Sequence, residues 1–167
     1  MSASVVRLAV SAVTLGLAAS LATPASAELL AHKDLSLDTA LTIASTAAAT
    51  CKDRGFRVSV HVLGRNGEVI VALRGDNASP HTMENSMRKA YTSRTFRVPS
   101  GEIVKRLKEN PQFAGIHLTN VIATQGALPI KVGDDVIGAV GVSGAPGGDK
   151  DEACAQTGLD KVADQLK

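Results

Sequence analysis

Aromatic side chains are nearly absent from this chain. Its 167 residues include no tryptophan, one tyrosine and three phenylalanines. Proteins that bind single-stranded nucleic acids stack bases on aromatic rings, so this composition argues against such a role. The formal net charge is only +2, and the lysines and arginines form no nucleic-acid footprint. The core must therefore be built from valine, isoleucine, leucine and alanine.

Cysteine is scarce as well, since Cys51 and Cys154 are the only two. They are not in C-x-x-C spacing, so a redox motif of that type is excluded. In an oxidising compartment two cysteines of one domain tend to pair, and a bridge closing a loop of about 100 residues contributes up to ~4.7 kcal/mol in the chain-entropy model. We predict a Cys51–Cys154 disulfide. Two buried thiols that pack as small apolar side chains are the alternative.

Charged residues are rare in the N-terminal segment, where Arg7 is the only one among the first 27 residues. An apolar stretch over 8–21 follows it, and a small Ala-Ser-Ala site ends at Ala27. These are the parts of a secretory signal peptide, and the stretch is short for a membrane span. We predict a cleaved signal peptide at 1–27 and a single domain at 28–167, periplasmic or secreted and not inserted in the membrane. An uncleaved N-terminal anchor is the alternative.

Hydrophobic periodicity in the first half of the chain predicts one helix and a hairpin. Helical spacing begins after Ser36, a good N-cap, and Gly55 ends it. Alternating valines over 58–62 predict a half-buried strand, and 68–73 predicts a second strand. Asn66-Gly67 between them suits the positive φ of a hairpin turn.

The second half predicts two helices, three strands and a C-terminal helix. In order, these are a helix from Ser79-Pro80 to about Thr95, a short helix over 99–107, strands over 121–123, 128–132 and 136–142, and a helix from Asp149. The apolar face of the longer helix is thin, with Met83, Met87, Ala90 and Tyr91. The fold class is α/β, with a five-stranded, mainly antiparallel sheet flanked by helices. Packing of the first and last helices on one face would bring the two cysteines together.

Small motifs in this chain have plain structural interpretations. Gly138 and Gly141 lie inside a strand, which favours close backbone packing over a phosphate-binding loop. The acidic residues over 149–152 suit a helix N-terminus better than a calcium site. The Arg-Gly-Asp tripeptide and the glycosylation sequon over 74–79 indicate an exposed loop.

Four histidines are present, and none lies within five residues of another, so no metal cluster is predicted. A neutral imidazole at His81 could ligate a heme iron or polarise a substrate. Cations that follow it on the same helix could meet ligand carboxylates; they are Arg88, Lys89 and Arg94. Taken singly, a histidine in such a position is more commonly a surface residue than a ligand.

Several stretches along the chain form a recognisable pattern; they are Leu35-Ser36-Leu37, 58–62 with Gly67, 74–78, 88–92, 126–130, 136–144 and Asp149. In these stretches, which occur in order over essentially the whole mature segment, the chain resembles the GlcG/HbpS family of heme-binding proteins. The resemblance implies a profilin-like α/β sandwich and homo-oligomers. In some exported members it implies heme binding, with heme degradation or service to a membrane sensor. Because folds host several functions, it predicts the fold better than the activity.

The resemblance also implies candidate iron ligands. His81 is the first choice, His32 and His117 are the second, and Thr124, beside the Gly-Pro-Ile turn, is a candidate oxygen ligand. The family commonly has a Gly-Gly pair before Pro-Ile, whereas this chain has Gln125-Gly126-Ala127, which alters the loop that a ligand approaches.

Our leading hypothesis is an exported heme-binding protein with an apolar pocket at a subunit interface, its cations meeting the propionates. Oxidative heme degradation, or conversion of a small organic acid in the same pocket, is the enzymatic alternative. The third hypothesis is an interaction module, or a binder of small organic acids, that partners a membrane sensor.

Overall fold

The computed structural model describes residues 28–167, and the predicted signal peptide at 1–27 lies outside them. Residues His32–Lys167 form one compact unit. Its helices are α1 (Leu37–Asp53), α2 (His81–Phe96), α3 (Ser100–Glu109) and α4 (Gly148–Lys161), and its strands are β1 (Ser59–Leu63), β2 (Val69–Arg74), β3 (Ala127–Val132) and β4 (Asp135–Ser143). Short 3₁₀ turns lie at Ala114–His117 and Ala163–Leu166. No helix within residues 28–167 is long and apolar enough to cross a membrane.

The sheet has four strands in the order β2-β1-β4-β3, and each neighbouring pair is antiparallel. The predicted α/β class with an antiparallel sheet flanked by helices is confirmed. So is the first hairpin, where Gly67 adopts a φ of +82° between β1 and β2. The prediction of five strands is wrong.

The missing strand is the predicted one at 121–123, which forms no ladder. Arg88 Nη2 donates to Val121 O at 2.9 Å. Thr92 Oγ1 donates to Ile122 O at 3.1 Å and accepts from Ile122 N at 2.8 Å. Because side chains of α2 satisfy these backbone groups, the segment needs no neighbouring strand.

Helices α1 and α4 cover one face of the sheet. Valines at alternate positions of β1 and β4 pack beneath them in the main core; they are Val60, Val62, Val140 and Val142. The two helices approach closely, since a Cβ at Gly158 would lie 2.5 Å from Ile43 O. The predicted Cys51–Cys154 disulfide joins them, with 5.7 Å between the Cα atoms.

Helix α2 covers the other face, and its inward side is polar. Its buried residues are Thr82, Ser86, Lys89, Ala90, Thr92 and Ser93. The predicted apolar face of this helix holds at Ala90, which is buried, and at Tyr91, which packs beside it against Leu63 and Ala139. It is wrong at Met83 and Met87, which are only half-buried and lie outside that cluster. The prediction that β1 is half-buried is also wrong, since α2 covers Ser59 and His61 and all five residues of the strand are buried. Ser59 Oγ meets Thr82 Oγ1 at 2.7 Å across this interface.

Close contact between α2 and β4 requires a glycine at position 141. A Cβ built there would lie 2.2 Å from Ser86 O and 2.7 Å from Ala90 N. Real Cβ atoms do not approach backbone atoms so closely, so any side chain at 141 would push α2 off the sheet. This confirms that the strand glycine serves close backbone packing.

His61 supplies a testable titration at this interface. It is 6% exposed, and its Nδ1 lies 2.8 Å from Ser86 Oγ. Burial lowers the pKa of His61 below its ordinary value of 6.5. The unfolded chain therefore takes up a proton first as the pH falls below 6.5, so the stability present above that value is lost on acidification.

We expect the unfolding free energy of His61→Gln to fall less than that of the wild type between neutral and mildly acidic pH. Urea denaturation at each pH measures this difference. His117→Gln, which alters an exposed histidine in a 3₁₀ turn, is the matched control and should keep the wild-type slope. An unchanged slope in His61→Gln would mean that another group governs the acid lability.

Candidate functional site

A cleft of about 300 Å³ lies where α2 and α4 begin, beside the end of β4. Most of its lining is polar and comes from the start of α2, the 124–125 segment and the glycine-rich 143–148 loop. Helix N-termini carry partial positive charge and unsatisfied N–H groups, so two of them at one cleft favour a bound acidic group.

One wall of the cleft is formed by a buried ion pair. Lys89 Nζ lies 2.8 Å from Asp151 Oδ2 and donates to Val142 O at 3.1 Å. Asp151 Oδ1 accepts from Ala145 N at 3.0 Å. Burial raises the pKa of Asp151, while Lys89 and the Ala145 N–H oppose this by stabilising the carboxylate. The pair therefore ties α2, β4 and α4 together with both charges shielded from water.

Gly126 makes room for this pair. Its φ is +132°, and a Cβ there would lie 2.8 Å from Lys89 Nζ and 2.9 Å from Asp151 Cβ. The Gln125-Gly126-Ala127 sequence thus keeps a glycine at the position that contacts the ion pair. Ala127 N is held by Ser100 Oγ at 3.0 Å, which fixes the loop from the α3 side.

The ligand-facing groups of the cleft are an imidazole, a hydroxyl and an amide. His81 is the first residue of α2 and is exposed. Thr124 Oγ1 is buried and has no hydrogen-bond partner within residues 28–167. Asn85 Nδ2 donates to Ser143 Oγ at 3.1 Å, which leaves its second amide hydrogen and its carbonyl oxygen available. A buried hydroxyl with no partner marks unused binding capacity.

Of the residues predicted from the sequence, the structure brings His81, Lys89 and Thr124 into this cleft. The remaining four do not line it; they are His32, His117, Arg88 and Arg94.

Each of these four residues has a different environment. His32 Nε2 lies 3.2 Å from Asp34, and His117 is exposed in a 3₁₀ turn. Arg88 contacts Val121 O and Glu84. Arg94 lies about 20 Å from His81 along the axis of α2. Burial, with Arg97 and Arg65 nearby, lowers the pKa of Arg94.

A second depression, the α1 groove, is larger at about 410 Å³ but has different chemistry. It lies between the end of α1, the start of β1 and the 74–77 loop. Its lining contains no histidine, threonine, tyrosine, methionine or free cysteine. The common protein ligands of heme iron are therefore missing from the groove, whereas the cleft offers His81.

The model of the HbpS-like family, described as haem degrading protein HbpS-like, matches residues 35–160. The chain belongs to the HbpS-like family. The resemblance identified from the sequence is thereby confirmed.

Individual relatives agree with this assignment. An uncharacterized 15.0 kDa protein from the dhaT-dhaS intergenic region of Citrobacter freundii is 30% identical over 129 residues, covering 75% of this chain and 90% of that protein. The crystal structure of an HbpS double mutant from Streptomyces reticuli has a TM-score of 0.76 and 33% identity, covering 83% of this chain and 96% of that chain. The crystal structure of a PduOC:heme complex shares the fold, with a TM-score of 0.69 and 20% identity over 76% of this chain and 94% of that chain.

Asp151 and Asn85 belong to the cleft of this HbpS-like protein but were not predicted from its sequence. The acidic residues over 149–152 suggested only a favourable helix start, and Asp151 does lie in the first turn of α4. A sequence signal was present in α2, where Lys89 follows Thr82 and Ser86 at helical spacing. A lysine in such a buried row requires a buried acidic partner.

We expect Lys89→Met to lower the unfolding free energy by about 3–5 kcal/mol, because it leaves Asp151 buried without a counter-charge. Adding Asp151→Leu should recover much of this loss. Lys161→Met, at an exposed lysine of α4, is the control and should change stability by less than about 0.5 kcal/mol. Urea denaturation checks all three; a cost for Lys89→Met no larger than that of the control would show that the pair contributes little.

Proposed function

We propose that this HbpS-like protein binds heme in the cleft between the N-termini of α2 and α4. The observation that carries the proposal is that one cleft contains both an exposed imidazole, His81, and a buried hydroxyl without a partner, Thr124. An imidazole can ligate a heme iron, and a hydroxyl in the same pocket can hydrogen-bond to a small ligand bound to the iron. The family description, which names heme degradation, supports the same ligand.

The cleft fits part of a heme better than all of it. Its volume of about 300 Å³ is at the lower end of the range of about 300–1,000 Å³ for small-molecule pockets. The sequence predicted an apolar pocket, whereas the lining of the cleft is mostly polar. We therefore propose that a second copy of the chain covers the rest of the porphyrin, in a homo-oligomer.

The residues of this chain would hold the acidic edge of the ligand. Lys89 is paired with Asp151 in the wall of the cleft, so it is not free to pair with a carboxylate of the ligand. Carboxylates are better met by the N-termini of α2 and α4 and by the second Nδ2 hydrogen of Asn85. Bound heme would supply an iron centre for ligand binding, electron transfer or oxidative chemistry.

We expect a hemin titration of the mature protein, followed at the Soret band and by size exclusion, to saturate at a defined ratio of heme to chain. His81→Ala should weaken binding or alter the spectrum because it removes the imidazole of the cleft. His32→Ala and His117→Ala remove exposed histidines that do not line the cleft, and both should behave as wild type. Thr124→Val, nearly isosteric, tests the hydroxyl separately.

Two results would contradict the assignment. A linear, unsaturable rise in absorbance would indicate non-specific association of hemin. A spectrum changed by His32→Ala or His117→Ala but not by His81→Ala would place the iron elsewhere. Loss of the Soret band with release of iron under a reductant, faster than for hemin–albumin and slower in His81→Ala, would extend the proposal from binding to degradation.

The polar lining favours a second candidate ligand, a small organic acid. Two helix N-termini and the second amide hydrogen of Asn85 can bind a carboxylate without any porphyrin. Saturable binding of a dicarboxylate in calorimetry, lost in Asn85→Leu and indifferent to hemin, would support this candidate over heme.

We also propose that the protein is exported, with cleavage after Ala27. The Cys51–Cys154 disulfide is compatible with an oxidising compartment, where such bonds persist. We expect N-terminal sequencing of protein recovered from the cell envelope or medium to begin at Glu28. A mature chain that begins at Met1 would contradict cleavage.

A further inference from the structure

The α1 groove is a second candidate binding site on the opposite side of the strand ends from the cleft. Its volume of about 410 Å³ is sufficient for a small molecule. Its walls are predominantly apolar and come from the last turns of α1 and the start of β1; Ala48, Ala49, Phe56 and Val58 supply them.

Charge around the groove is mainly positive. Three cations, Lys52, Arg57 and Arg74, line it together with a single acidic residue, Asp76. Lys52 Nζ lies 3.5 Å from that carboxylate. Arg57 is exposed and forms no ion pair within residues 28–167. The groove therefore has an apolar floor and a rim with more cations than anions.

Hydrogen bonds and the disulfide hold the backbone in place on both sides of the groove. Phe56 N donates to Cys51 O at 2.9 Å, and Cys51 is bonded to Cys154 in α4. On the opposite wall, Gly75 N donates to Val58 O at 2.9 Å, and Arg74 Nη2 donates to Ala78 O at 2.6 Å. The disulfide and these bonds hold both walls in place without a ligand, which lowers the ordering cost of binding.

We propose that the α1 groove binds a small amphiphile with an apolar body and one carboxylate. Apolar walls favour burial of a hydrocarbon or ring, and the exposed guanidinium of Arg57 can form a charge-assisted, two-pronged contact with a carboxylate. A neutral molecule would leave the rim unused, and a cationic one would be repelled by it. This site is separate from the proposed heme cleft and does not depend on it.

Octanoate, octanol and octylammonium are matched probes, because they share one chain length and differ in charge. We expect calorimetry to show saturable octanoate binding, with octylammonium weaker by about tenfold or more. In two-dimensional amide NMR, octanoate should shift the signals of Gly55 and Gly75 rather than those of Gly147 and Gly148 in the cleft.

Variants then separate charge from shape. Arg57→Glu should weaken octanoate binding by about tenfold or more, whereas Lys161→Glu, an equal charge change at an exposed site on α4, should not. Ala49→Phe keeps every charge but fills the groove, so it should abolish binding even if Arg57→Glu proves unstable.

Independence from the heme cleft is testable with the same proteins. Arg57→Glu should leave the hemin titration unchanged, and His81→Ala should leave octanoate binding unchanged. Equal binding of all three octyl probes, unchanged binding in both groove variants, or amide shifts confined to the cleft would overturn the proposal. Displacement of octanoate by hemin, sensitive to Arg57→Glu, would also overturn it by making the groove part of a heme site.

Discussion

The buried ion pair between Lys89 and Asp151 is the constraint on which the cleft depends. Removing two charges from water is costly, and the loss is offset here by their 2.8 Å contact and by bonds to Val142 O and Ala145 N. These partners belong to α2, β4 and the loop that leads into α4. The pair thus fixes the middle of α2 and the first turn of α4 relative to the end of the sheet. Gly126 is part of the same arrangement, because any side chain there would collide with the lysine.

Local patterns in the sequence were sufficient for all four α-helices and all four strands of residues 28–167, and they predicted one strand too many. Ser36 caps α1 by accepting from Thr39 N, and Gly67 forms the hairpin turn, as their residue types predict. The failures share one physical cause. At Val121 and Ile122 the backbone groups are satisfied by side chains of α2, about thirty residues away in the sequence. No window over 121–123 contains that information, so an apolar run there resembles a strand.

The same limit explains which site residues were predictable. His81 and Thr124 were identified because a family resemblance and a nearby loop motif pointed to them. Asp151 pairs with a lysine 62 positions away, and only the fold reveals that its carboxylate is buried. The cations of α2 were expected to act as a group, yet they point to different surroundings, because successive positions of a helix face different directions. Lys89 enters the cleft wall, Arg88 supports the 121–122 segment, and Arg94 lies near the far end of the helix.

The packed layers that adjoin the two depressions differ in polarity because β1 presents a different row of side chains to each face of the sheet. Ser59 and His61 face α2, whose inward side is correspondingly rich in hydroxyls, and the cleft forms where that polar layer reaches the strand ends. Val60 and Val62 face α1, and the α1 groove opens at the edge of that apolar layer. Side chains alternate strictly along a strand, so an insertion of one residue in β1 would exchange the two rows. The polarity of the layer that adjoins each depression therefore depends on the register of this one strand.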